Sequence, residues 1–278
     1  MNRFLIVTNE EKDEGLVTSR EIAAYLSERG ASVSVIGDTD RAKDGMLTDT
    51  SAVKDVQAVI VLGGDGTMLR AVHGLGVYGI PMMGINMGTL GFLTEIEKGN
   101  YREACDRLLA DDYKIEERMM IEGSAKGSVY HALNDVVVTR AGFSRIIAVH
   151  IYVNDQLLET YEADGVIVST PTGSTGYNLS AGGPIVTPKG KAIVVTPISP
   201  HKLSAKSVVF DASDTIRLEI VRRSRTQDTE AIVSFDGAPG TDLSCGDTIF
   251  VRRSDRIVRL IKMSDINFYR VLRDKIGN

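Results

Sequence analysis

Over its first hundred residues the chain alternates wholly apolar runs with amphipathic stretches. Phe4 to Val7 and Val33 to Ile36 read as strands, and between them Ile22, Ala23 and Leu26 mark one face of a helix ending near Gly30. Ala58 to Leu62 reads as a third strand, Met68 to His73 as an amphipathic stretch, and Pro81 to Ile85 as a fourth strand. This alternation predicts a parallel sheet with helices on its faces and ligands at the carboxyl ends of its strands. Past about Tyr113 short runs recur with few helices between them: Ser128 to Val138, Ile146 to Val153, Val166 to Ser169, Ala192 to Thr196, Thr215 to Val221, Ile232 to Phe235 and Thr248 to Arg253. Asn154-Asp155 sits between two such runs as a hairpin turn would. The pattern therefore predicts an α/β, Rossmann-like N-terminal domain over residues 1–112 and a mainly antiparallel, β-sandwich-like domain over 113–265. A helical tail over 266–278 is expected to pack back on the first domain.

The chemistry gathers in two places. Gly63-Gly64-Asp65-Gly66-Thr67 follows the third strand and opens the amphipathic stretch. Glycines there let the backbone approach an anion, and a helix N-terminus offers unpaired N–H groups. A carboxylate in such a turn repels phosphate, so Asp65 is expected to have a task, as a proton acceptor or a magnesium contact. The second place is Thr170-Pro171-Thr172-Gly173-Ser174-Thr175-Gly176-Tyr177-Asn178-Leu179-Ser180-Ala181-Gly182-Gly183-Pro184, dense in hydroxyls and glycines. Ser174 is placed to cap a short helix there, and Tyr177 offers a flat face to a base. Asn134-Asp135 interrupts an apolar run; in a buried strand such groups need partners, which a ligand could supply, and a bulge or strand entry point is the alternative. Asp236-Gly237 reads equally well as an ordinary hairpin turn. Gly74-Leu75-Gly76-Val77-Tyr78-Gly79 matches a dinucleotide fingerprint by letter, but it follows a helix and precedes a strand, so it reads as a helix stop and a turn.

Composition narrows the partners. A net charge of −5 without a basic run argues against nucleic acid as a partner. Two cysteines are too few for a disulfide framework, and the four histidines show no metal-ligand spacing. No apolar span of about 18 residues is present, so no membrane segment is expected. The first residues read as a strand rather than a signal peptide, and the expected location is the cytoplasm.

Together, the GGDGT turn, the loop Asn86 to Leu93, the pair Asn134-Asp135, the DG…STPTGSTGYNLSAGGP stretch and Pro197 to Ser204 closely resemble the NAD kinase family over almost the whole chain. That resemblance implies transfer of a phosphoryl group from ATP or polyphosphate to the 2′-hydroxyl of the adenosine ribose of NAD. It makes Asp65 the proton acceptor and, with Gly66 beside the same ribose and Arg70 a phosphate or ribose contact, part of the NAD site, and Gly63, Gly64, Gly66 and Thr67 the holders of the donor phosphates. It makes Asn134, Asp135, Arg145, Glu162, Asp164, Thr172, Thr175, Gly176, Tyr177, Asn178, Leu179 and Ser180 contacts to NAD. It also implies a divalent cation, Mg²⁺, and a homo-oligomer, dimer or tetramer. Three positions depart from the family pattern: Glu162, where a basic residue is common, Asp135, where Glu is more usual, and Ala238, where a polar side chain is common. The competing readings are a lipid kinase sharing the GGDGT turn and a non-catalytic NAD sensor.

Overall fold

The computed structural model describes residues 1–37, 53–142, 146–202, 204–222, 230–238, 240–263 and 268–276. The chain divides into two compact units, Met1–Arg118 with Arg256–Asn278, and Met119–Asp255.

The first unit contains β1 (Arg3–Thr8), α1 (Val17–Ser27), β2 (Ser32–Gly37), β3 (Ala58–Gly63), α2 (Asp65–Leu75), β4 (Met82–Asn86), β5 (Ile96–Glu97) and α3 (Tyr101–Leu109). Strand β1 lies between β2 and β3, β3 pairs with β4, and β4 with β5, all in parallel. Every residue of β3 is buried, which is why this strand reads as an unbroken apolar run rather than an alternating one. Ile22 and Leu26 of α1 and Ala104, Cys105 and Leu108 of α3 close one face of the sheet over Phe4, Ile6 and Ile60. Helix α3 carries four charged residues among nine, and its apolar stripe is too narrow to stand out in the sequence. The order β2-β1-β3-β4 reverses direction between β1 and β3, so the loops leaving these two strands flank a topological switch point, where open α/β sheets bind ligands.

The chain enters the second unit within β6 (Lys114–Ala125) and continues through β7 (Ser128–Ala132), β8 (Asp135–Arg140), β9 (Ile147–Val153), β10 (Gln156–Ala163), β11 (Gly165–Ser169), α4 (Tyr177–Ser180), β12 (Ala192–Ile198), β13 (Val208–Asp211), β14 (Ile216–Val221), β15 (Glu230–Phe235) and β16 (Thr241–Ser244). It leaves within β17 (Thr248–Lys262). One antiparallel sheet runs β13-β12-β11-β8-β15-β16. A second pairs β10 with β9, β9 with β14, and β14 with the first half of β17. Val136, Val138, Val166, Val168, Ile193 and Val195 from the first sheet meet Val149, Ile151, Ile216, Leu218, Ile249 and Val251 from the second in one core. This is the expected sandwich. Asn154 and Asp155, at φ 48° and 64°, make the two-residue turn between β9 and β10, the primed geometry that Asn and Asp tolerate.

In the first unit, Leu260 of β17 pairs in parallel with Met82 of β4. The last helix, α5 (Phe268–Ile276), places the Phe268 ring 5.6 Å from that of Phe92. Helix α2 stops at Leu75, Gly76–Tyr78 makes one tight helical turn, and Gly79 takes a φ of 64°, so the glycine-rich stretch there is a helix stop.

Candidate functional site

In the first unit three loops leave the carboxyl ends of β1, β3 and β4. The β3 loop is short: Gly64 precedes α2, and Asp65 stands in its first turn. A side chain on Gly63 would begin 2.2 Å from Thr67 Oγ1, so only glycine lets the buried Thr67 fold back onto the turn. The β4 loop is organised by Asn86, whose side chain donates to Thr89 O (2.7 Å) and Thr94 Oγ1 (3.0 Å) and accepts from Gly88 N (2.6 Å).

Asp65 joins these two loops. Its Oδ2 accepts from Phe92 N at 2.8 Å, and its Oδ1 from Leu93 N at 2.9 Å, Thr94 N at 3.3 Å and Thr94 Oγ1 at 3.4 Å. A Cβ on Gly91 would fall 2.0 Å from Oδ1; the glycine is required by this approach. Oδ1 is crowded with donors, whereas Oδ2 takes one and retains acceptor capacity.

The β1 loop brings a residue that sequence reasoning missed. The Lys12 ammonium lies 3.6 Å and 3.8 Å from the points where side chains on Gly64 and Gly88 would begin. Lys12 N donates to Asn9 Oδ1 at 2.9 Å, and the neighbouring Asp13 carboxylate accepts from Thr8 Oγ1, Thr18 N and Ser19 N, fixing the loop to the start of α1. No carboxylate among the described residues pairs with the Lys12 ammonium. Nothing in the local sequence distinguishes this lysine; its place depends on the strand order. Arg70, exposed on α2, reaches Thr67 Oγ1 at 3.4 Å, and Gly66 is open to solvent.

In the second unit the hydroxyl-rich loop follows β11. Ser174 is fully buried; its hydroxyl faces Pro171 O (2.7 Å) and Val186 O (3.0 Å) and accepts from Val186 N at 3.0 Å. The residue before α4 is Gly176, and no side chain caps the helix. The expected cap by Ser174 is therefore corrected: its hydroxyl is consumed in tying the loop to residue 186. Asn178 is likewise buried, donating to Ser174 O and Pro184 O and accepting from Thr196 Oγ1 at 2.7 Å. Thr172 is buried, Thr175, Gly176 and Leu179 are half-buried, and Tyr177 and Ser180 are exposed. Asp164 pairs with Arg140 at 2.8 Å, Glu162 is half-buried on β10, and Arg145 lies outside the described residues.

Asn134 and Asp135 stand where the run Ser128 to Val138 breaks into β7 and β8. Asn134 O accepts from Thr170 N at 2.8 Å, and a Cβ on Gly173 would stand 2.2 Å from that oxygen, so the hydroxyl-rich loop is packed against the break. Asp135 is 6 % exposed. Burial, with the Asp236 charge adding to it, pushes its carboxyl up to about 7.

Among the described residues no three His, Cys, Asp or Glu side chains gather to hold a metal. Cys105 is buried, and burial pushes its thiol up to about 12, far from a reactive thiolate.

A glycine turn at a switch point, closed by a tethered carboxylate, joined in one chain to a β-sandwich with a packed hydroxyl-rich loop, belongs to the phosphate-handling α/β proteins. Comparison with known proteins makes this specific. Residues 4–113 match the ATP-NAD kinase N-terminal domain and residues 133–263 the ATP-NAD kinase C-terminal domain. The chain is 44% identical over 286 residues to a NAD kinase of Lachnoclostridium phytofermentans, covering 100% of both, and 40% identical over 280 residues to one of Heliobacterium modesticaldum, covering 98% and 97%. Among solved structures, yeast NADH kinase complexed with NADH superposes with a TM-score of 0.87 at 26% identity, covering 100% of this chain and 88% of that one. A NAD kinase from Archaeoglobus fulgidus in complex with ATP shares the fold, with a TM-score of 0.76 at 24% identity over 99% and 97%. The chain belongs to the NAD kinase family, and so to the phosphotransferases. The match over 133–263 sets aside the lipid-kinase reading that the GGDGT turn alone left open. No helix among the described residues is long and apolar enough to cross a membrane.

Proposed function

We propose that the protein transfers a phosphoryl group from ATP, or another triphosphate or polyphosphate, to the 2′-hydroxyl of the adenosine ribose of NAD, giving NADP. The observation that carries this reading is the match of both halves of the chain to ATP-NAD kinase domains. In it Asp65 accepts the hydroxyl proton through Oδ2, the oxygen with one short donor, while the bonds to Oδ1 hold the carboxylate in place. Proton transfer lets the oxygen attack the terminal phosphorus as the bond to the donor's leaving oxygen breaks. Gly63 at the end of β3 and Gly64, Gly66 and Thr67 at the start of α2 form the turn that holds the donor phosphates, the helix start offering backbone N–H groups, and the Lys12 ammonium offsets the charge that Asp65 brings.

Asn134, Asp135, Asp164, Thr172 and Tyr177 hold NAD in this reading, with Gly176, Leu179 and Ser180 lining the contact and Thr175 beside them. Asn178 acts by shaping the loop, since its amide and oxygen are engaged by Ser174, Pro184 and Thr196. Arg70, Arg145 and Glu162 complete the set as contacts at the edges of the dinucleotide. Mg²⁺, which keeps several waters and is bound largely by substrate phosphates, would be held chiefly by the donor phosphates seated on the glycine turn. When bound it neutralises donor charge. The enzyme works in the cytoplasm as a homo-oligomer, a dimer or tetramer.

The test is incubation of purified protein with NAD, ATP and Mg²⁺, with NADP followed by a dehydrogenase that accepts only NADP. NADP formation supports the reading. Folded protein that yields none with any triphosphate, polyphosphate or divalent metal sinks it, and NAD binding without NADP would identify a sensor.

A further inference from the structure

Three successive backbone N–H groups converge on one carboxylate in the second unit. Leu133 N donates to Asp236 Oδ2 at 2.7 Å, and Asn134 N and Asp135 N donate to Oδ1 at 2.7 and 3.0 Å. Successive N–H groups of a strand point to opposite sides, so this convergence requires the chain to leave the extended conformation. It does so in the gap between β7 and β8. Such a concavity of N–H groups is an anion nest, and here the anion is a side chain of the protein itself. The carboxylate comes from the β15–β16 turn, where Asp236 and Gly237 take φ values of 49° and 74° and Asp236 N donates to Asp135 O at 3.0 Å.

The opposite side of the same segment is held as firmly. Thr170 Oγ1 donates to Leu133 O at 2.6 Å, and Thr170 N and Ser169 Oγ donate to Asn134 O at 2.8 and 3.3 Å. The backbone of residues 133–135 is thus satisfied within the protein. The side chain of Asn134 is not: it makes no hydrogen bond with any described residue, and its Nδ2 lies 3.7 Å from where a side chain on Gly176 would begin. A segment whose backbone is pinned from both sides, and whose polar side chain is left over, is pre-organised to present that side chain to a ligand.

We propose that Asp236 is a positioning residue for the dinucleotide, its carboxylate gathering the N–H groups of Leu133, Asn134 and Asp135 and so fixing how Asn134 and Asp135 meet NAD. This rests on the reading of Asn134 and Asp135 as NAD contacts. Asp236 touches no substrate; it acts through the segment it holds. The pair Asp236-Gly237 thus serves as a hairpin turn and as an anchor at once.

The experiment compares the parent with Asp236→Asn, Asn134→Ala and the double variant, in full-length protein. NAD affinity is read by calorimetry, and KM for NAD, KM for ATP and kcat by initial rates. Asparagine keeps one oxygen but turns an NH₂ group toward at least one N–H. NAD affinity should fall about 10-fold, with KM for NAD rising to match, while KM for ATP and kcat at saturating NAD stay near the parent values, the pattern of lost binding common to ground and transition states. The two substitutions should be non-additive, because one acts through the other. Unchanged NAD affinity, strict additivity, or a proportional fall in every parameter would overturn the proposal. Should Asp236→Asn not fold, Gly237→Ala strains the same turn at a position with open space around it and should show the same split, more weakly; its absence there would equally overturn the proposal. A parent that binds NAD but makes no NADP would sink the assigned reaction and leave this binding test intact.

Discussion

Asp65→Asn is ordinarily a conservative test of a general base, but here it should break two things at once. The carboxylate accepts from Phe92 N, Leu93 N, Thr94 N and Thr94 Oγ1. An asparagine oxygen can replace Oδ1 toward Leu93 and Thr94, and its NH₂ group then faces Phe92 N–H, donor against donor. One short hydrogen bond to a charged acceptor is lost, worth about 1.5–3 kcal/mol. At about 2–4 °C per kcal/mol for a chain of this size, Tm should fall by roughly 3–12 °C. Turnover should fall about 10²–10⁴-fold from loss of the base. NAD should still bind, since its proposed contacts beyond Asp65 and Gly66 are untouched. The assay pairs thermal unfolding with kcat at saturating NAD and ATP and with NAD calorimetry. Gly91→Ala supplies the control, because a Cβ would stand 2.0 Å from Oδ1 and displace the carboxylate without removing it. Turnover of Asp65→Asn within a few-fold of the parent would refute the base assignment, and an unchanged Tm would refute the tether.

Three further outcomes follow from the geometry. The Asp135 carboxyl is raised to about 7 from its ordinary 3.8, so folding takes up a proton between these values and the associated stability is lost as pH rises through about 7; Asp135→Asn mimics the protonated form, and urea titrations should show the parent losing stability relative to it from about pH 4 to above 7, parallel curves being the refuting result. Lys12→Met should raise KM for ATP about 10-fold, equivalent to about 1.4 kcal/mol, with KM for NAD unchanged and Lys12→Arg near the parent; an ATP KM within twofold would exclude a donor contact. Asn178→Ala removes three hydrogen bonds inside the loop and should cost about 2–4 kcal/mol in urea unfolding, whereas a loss below about 0.5 kcal/mol would show that the loop does not depend on them.

What was legible in the sequence is what is local. Ala58–Gly63 is buried throughout and announces itself as apolar, and Asn154-Asp155 marks its turn by residue type alone. Strand β6 begins Lys114-Ile115-Glu116-Glu117-Arg118, with its early residues mostly exposed, so its pattern is that of a polar loop. The strand pattern of β17 gives out at Arg253, because Ser254-Asp255-Arg256 looks like an ending, yet the strand runs on to Lys262. The break between β7 and β8 is marked in the sequence by Asn134-Asp135, whereas the carboxylate that gathers it, Asp236, lies a hundred residues further on and gives no local sign. Lys12 escaped notice for the same reason: its neighbours Gly64 and Gly88 are brought to it by strand order. The two glycine loops could each be seen, whereas their junction through Asp65 could not.

The first unit is closed by residues made only after the whole second unit. It consists of Met1–Arg118 and Arg256–Asn278, with the whole second unit between them. At about 5–20 residues per second, on the order of 10 s separates the two pieces during synthesis. Throughout that interval the nascent sheet lacks the partner that Leu260 gives to Met82, and the core lacks Ile261 and Met263. A newborn chain therefore carries an open strand edge next to an apolar face for seconds, the condition that invites pairing with a neighbour on the same polysome. The second unit, contiguous in sequence over Met119–Asp255, has no such insertion to wait for, and its sandwich core is assembled from neighbours in synthesis order.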